Sequence, residues 1–182
     1  MPLSVRARAD TVATLRHTSV YLMETLARWV PTSPEYEAKT LFGRHLWEFA
    51  QHADALGQRT SELRLGFHAN RPPTEAYATI LETVRASDPT PTRLTRMYDG
   101  IVPDLERRYR AYLEAVDHLM DEPTVRIVER AQTDLARMIR ERDEVLTQRP
   151  DLAGPLDGGI IEALNAIEEI VDFRPMPAGA GS

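Results

Sequence analysis

The stretch Pro34–Arg64, PEYEAKTLFGRHLWEFAQHADALGQRTSELR, has no proline after its first residue and is long enough for about eight turns of α-helix. Phe42, Leu46, Phe49, Ala53 and Leu56 recur along it at spacings of three and four, which marks one helical face. His45, Glu48 and His52 lie on or beside that face. Two imidazoles and a carboxylate on a core-facing stripe are costly unless paired, hydrogen-bonded or bound to something. Candidate chemistry therefore begins on this helix.

The flanking sequence repeats the helical pattern. Val12, Leu15, Ser19, Leu22, Met23, Leu26 and Val30 predict a first helix over about Ala9 to Val30, ended by Pro31 and Pro34, with Ser33 as N-cap of the next. Thr74–Ala86 reads as a shorter amphipathic helix. A longer pattern follows over Thr92–Met120, where Gly100 and Pro103 predict a kink or short break. Asp121, Glu122 and Pro123 are a start signal for a helix reaching Gln148, and Ile160–Val171 reads as a last short helix. No strand pattern stands out. Long helices with short accessory ones predict an all-α antiparallel four-helix bundle over residues 1–173, with 174–182 as a flexible tail.

Composition narrows the function classes. The chain has 182 residues and no cysteine, which excludes thiolate metal sites, disulfides and cysteine nucleophiles. Its net charge of −6 argues against a nucleic-acid partner. No apolar run approaches the roughly 20 residues of a membrane span, and the N-terminus lacks a signal-peptide core, so a cytoplasmic location is the default expectation. Lys39 is the only lysine among many arginines, a bias that points to a GC-rich, bacterial genome.

His45 and Glu48 are three residues apart and Glu48 and His52 four, so either pair reaches one ion from one helix. The two histidines are about 10 Å apart along the axis and do not easily share one. Glu-x-x-His, the pair that di-iron bundles use, is absent. Glu24 is the inward carboxylate expected from the first helix, and Asp134 flanks the apolar stripe of the helix that ends at Gln148. Two chemistries are open. In one, His45 and His52 act as general acid or base with Glu48 and Asp134 nearby and Tyr109 or Tyr112 donating a hydrogen bond. In the other, Glu24, His45, Glu48 and His52 hold a metal, iron or manganese before others. A histidine in a helical core is more often a satisfied structural residue than a ligand, and Trp29 and Trp47 are candidate anchors for a partner protein. The partners considered are a small-molecule substrate and a second copy of the chain.

Two segments, EAKTLFGRHLWEFAQHADALGQRTSELR and DEPTVRIVERAQTDLARM, resemble the ferritin-like superfamily, in its small, divergent helical branches. Glu37, His45, Glu48, His52, Glu129 and Asp134 stand at matching positions. Phe49 occupies the place of an acid three before His52, and Met138 that of a histidine in the last bundle helix. The resemblance implies a ferritin-like bundle with an incomplete di-iron ligand set, reused for small-molecule, biosynthetic chemistry in a polar interior cavity. The alternative it leaves is a non-catalytic binding or partner-subunit protein that has lost the metal site.

Overall fold

Ser4 starts the first helix: its hydroxyl accepts from the Ala7 N–H at 3.1 Å, and α1 then runs over Val5–Thr32. The computed structural model describes residues 3–66 and 69–173; His68 and the predicted tail, 174–182, lie outside the described residues. α1 is longer at both ends than its apolar stripe predicts, because the Ser4 cap adds a turn and Pro31 is tolerated in the final one. Ser33 is not the N-cap of the next helix. It caps the end of α1, donating to the Trp29 carbonyl at 2.9 Å and accepting from Arg93 at 2.9 Å.

α2 covers Tyr36–Glu62 and packs along α1. Trp29 and Phe42 meet across that contact with ring centroids 5.3 Å apart. Trp29 is thus core, its indole N–H donated to the Arg85 carbonyl at 3.1 Å, whereas Trp47 is 62% exposed. After α3, Glu75–Arg85, the chain forms a continuous rod: α4 over Thr90–Thr95, a π turn over Arg96–Ile101, and α5 over Val102–Ala115. The interruption predicted at Gly100 and Pro103 is therefore a π register, in which each bond spans one extra residue, and not a break. Proline has no N–H to donate, and the local shift to π bonding carries the helix past it. The rod ends at Ala115, five residues short of the predicted Met120.

α6 covers Glu122–Gln148, close to its predicted bounds, and packs on both α2 and α5. Its leading Asp121 makes no capping bond. The fully buried carboxylate instead accepts from Tyr112 (2.6 Å), Thr124 (2.8 Å) and Arg59 (2.9 Å), with Arg8 at 3.4 Å. One residue thereby ties α1, α2, α5 and α6 at one end of the molecule. α7, Gly158–Ala166, crosses the rod where Gly100 leaves room: a Cβ there would stand 3.3 Å from Ile160. It ends earlier than predicted, and the chain then pairs Val171 with Pro73 in an isolated bridge. No helix is long and apolar enough to cross a membrane among the described residues.

Gly154 lies where the loop after α6 touches α4. A Cβ at this position would sit 2.9 Å from Thr95 Oγ1 and 3.0 Å from the Pro91 carbonyl oxygen. Backbone cannot retract as a side chain can. Gly154→Ala is expected to destabilise the protein by about 1–3 kcal/mol, read as a lower urea midpoint with an unchanged slope.

Candidate functional site

α2 and α6 run antiparallel in a fixed register, and the polar residues of their seam follow it. Glu37 meets Arg149 at 2.7 Å. Eight residues forward on α2 and eight back on α6, His45 meets Glu141 at 3.0 Å. Seven further on each, His52 meets Asp134 at 3.1 Å. Arg137 lies between the last two pairs, 2.6 Å from Asp134, 2.9 Å from Glu48 and 3.8 Å from Glu141. The seam is thus a chain of two His–carboxylate pairs joined by one guanidinium, with Arg44 3.1 Å from Glu141 at its far end.

The two histidines differ in how completely they are bonded. An ionised carboxylate only accepts, so each imidazole donates its Nε2–H to its acid partner, leaving Nδ1 as the lone-pair nitrogen. His45 Nδ1 accepts from the Tyr98 hydroxyl at 2.6 Å. Tyr98 is placed by the π turn, as is Asp99, which holds Arg142 at 2.8 Å. His45 is therefore fully satisfied. His52 Nδ1 is buried, and no group among the described residues bonds it. The Phe49 ring stands edge-on to the His52 ring, 5.9 Å between centroids, and fixes its plane.

Burial sets the protonation states. It lowers the pKa of both imidazoles, and the bonds to Glu141 and Asp134 only partly oppose it. For the two acids burial works upward, but the hydrogen bonds from His45 and Arg44 and from His52 and Arg137 outweigh it and hold both carboxyls low. At neutral pH the pairs are neutral imidazole against carboxylate. Burial raises the Tyr98 hydroxyl far above its usual range, so it stays a donor.

These directions give a pH dependence. An unfolded histidine protonates near pH 6.5, while the folded ones resist protonation to lower pH. The stabilisation is complete above about pH 6.5 and is lost as pH falls below it. Asp121, Asp134 and Glu141, all depressed, carry the same sign at lower pH. Urea midpoints measured from pH 8 to 4 are expected to be flat at first and to start falling near pH 6.5. The His52→Gln variant should lose part of the first drop.

Two clefts flank the seam. One, of about 220 Å³, opens among Tyr36, Glu37, Arg44, Glu141 and Gln148. The other, of about 360 Å³, is walled by Gln51, His52, Asp54, Gln58, Ile127 and Arg130. Neither is lined by both histidines, so the shared hollow expected from the sequence is replaced by a packed polar seam with His52 at the wall of one cleft. His45, Glu48, His52 and Asp134 are brought together there. Tyr109 is not: it is buried on α5, its hydroxyl pushed up to about 12 by burial and facing Ser19 on α1. Glu24 is not inward either. Its side chain is exposed and pairs with Arg85 at 3.1 Å. The candidate metal ligands Glu24, His45, Glu48 and His52 do not converge, and no group of three His, Asp or Glu side chains among the described residues is arranged to hold a metal ion. Each has a side-chain partner in place of a common point, so the donor set does not fit a metal centre.

Glu141, Tyr98 and the bridging part played by Arg137 are absent from the sequence reading. Glu141 had a signal: it is seven residues from Asp134, the same step that separates His45 from His52. Compared with known protein families, characterised proteins and solved structures, the chain matches none.

Proposed function

We propose that the protein is a small-molecule enzyme of ferritin-like bundle architecture that uses His52 as a general base in the cleft between α2 and α6. One observation carries this reading: a buried imidazole nitrogen without a bond in an otherwise satisfied polar seam. A bare buried acceptor is costly, and such groups collect at functional sites. Asp134 supports the reading by accepting the Nε2–H, which selects the tautomer whose Nδ1 is basic. Arg137, itself held by Glu48, holds Asp134 in place. A substrate with an acidic O–H or N–H would give its proton to Nδ1, and the resulting imidazolium would be stabilised by the Asp134 carboxylate. Gln51, Gln58 and Arg130 wall the cleft beside His52. His45 has no spare nitrogen and serves as a structural clamp.

A second reading, a non-catalytic binding protein, draws support from the packed seam and the absence of convergence at His45. A small-metabolite panel tests the first. Bound compounds should raise the melting temperature of the wild type and not of His52→Gln, and should move the His52 imidazole resonances. Ligands that bind equally to both proteins, or turnover that survives in His52→Gln, would contradict it.

A further inference from the structure

We propose that the outward face of α2 is a self-association surface on which a second copy of the chain docks antiparallel. The face is a second seam on a helix whose other side is already core. Tyr36, Thr40, Gly43, Trp47, Ala50 and Asp54 follow one another at steps of four, three, four, three and four. This is the 3.5-residue spacing of helices that pack on a partner along their length. None of the six belongs to the buried core of α2. Tyr36 is 77% and Trp47 62% exposed.

Gly43 is the telling residue. In mid-helix a glycine costs roughly 0.5–1 kcal/mol relative to alanine. Nothing in the chain lies within 4 Å of where its Cβ would be, so internal packing does not require its absence. On the outward seam the missing Cβ lets another helix come close. One turn away stands the exposed indole of Trp47. A knob and a gap on one helix, four residues apart, are self-complementary about a two-fold axis: each Trp47 covers Gly43 of the partner subunit.

That register fixes the other pairs. Thr40 falls opposite the partner's Ala50, small against small. Tyr36 falls opposite the partner's Asp54, a hydroxyl donor facing a carboxylate, and Lys39 lies one turn from the same acid. A parallel arrangement would instead set Lys39 against Lys39 and Asp54 against Asp54, which is repulsive. The antiparallel docking is therefore the favoured one. It spans about 27 Å of helix from Tyr36 to Asp54, with Trp47 near its centre and Tyr36 at its end, both residue types that dominate binding energy. An interface one helix wide lies at the small end of specific contacts. It also brings the partner's Tyr36 to Asp54 at the mouth of the His52 cleft, although the association does not depend on the acid–base reading.

Sedimentation equilibrium over a concentration series tests the proposal. The weight-average mass should rise from 20.6 kDa toward twice that value. Trp47→Arg and Gly43→Leu should each weaken association roughly tenfold or more, with circular dichroism unchanged because neither site is packed in the monomer. The chain has no cysteine, so the Thr40→Cys/Ala50→Cys double variant should form a cross-linked dimer on oxidation, while Thr40→Cys alone should not. A wild type that stays monomeric at high concentration would overturn the proposal. So would a dimer that survives both substitutions, or cross-linking through Thr40→Cys alone.

Discussion

Asp121→Ala is expected to lower stability by about 3–5 kcal/mol, the range for removing one partner from a buried charged network. In a protein of this size that is a fall in melting temperature of about 6–20 °C. The magnitude follows from what is left behind. Asp121 is fully buried and receives Tyr112, Thr124 and Arg59, with Arg8 close by. Without it the Tyr112 hydroxyl loses its acceptor, and Arg59 keeps only Thr124 and the exposed Glu62. Arg8 retains the Met120 carbonyl. Asp121→Asn should lose less, since the amide oxygen still accepts. Chemical denaturation of the three proteins at pH 7 checks the order, wild type above Asn above Ala.

The second large effect separates the two histidines. His45→Ala is expected to cost about 3–5 kcal/mol, combining a core cavity with a stranded Tyr98 hydroxyl and a weakened Glu141. His52→Gln is expected to stay within about 1 kcal/mol of the wild type, because the glutamine amide still donates to Asp134 and the orphaned nitrogen disappears. Function should run the opposite way: His52→Gln abolishes ligand response, whereas His45 acts only through the integrity of the fold. Residues kept at a cost to stability are those that function retains. Paired measurements of stability and ligand-induced melting shift read both quantities on the same samples.

Much of the seam was legible in the sequence. The α2 stripe of Phe42, Phe49, Ala53 and Leu56 placed His45 and His52 inward, and both are buried. What spacing on one helix does not contain is the register of its neighbour. Glu141 lies off the apolar stripe of α6, so nothing local marked it, although its seven-residue step from Asp134 matched that of the histidines. Glu24 failed for a similar reason. Its place beside an apolar stripe suggested the interior, but Arg85 at the end of α3 draws it to the surface. Gly100 and Pro103 announced an irregularity without revealing that the π turn would deliver Tyr98 to His45. Ser33 had the right residue type for a cap at either of two adjoining helix ends, and its bond to the Trp29 carbonyl, with Arg93 donating to the same hydroxyl, shows which end it serves.

The most direct measurement is a long-range nitrogen–proton NMR correlation of the histidine rings, followed across pH and on ligand addition. The expected result is that His52 is the Nε2–H tautomer with an unprotonated, unbonded Nδ1. It should titrate below an ordinary histidine, and its Nδ1 shift should move when ligand occupies the cleft. A His52 ring protonated on Nδ1 at neutral pH, or titrating as a free imidazole, would contradict the proposed base.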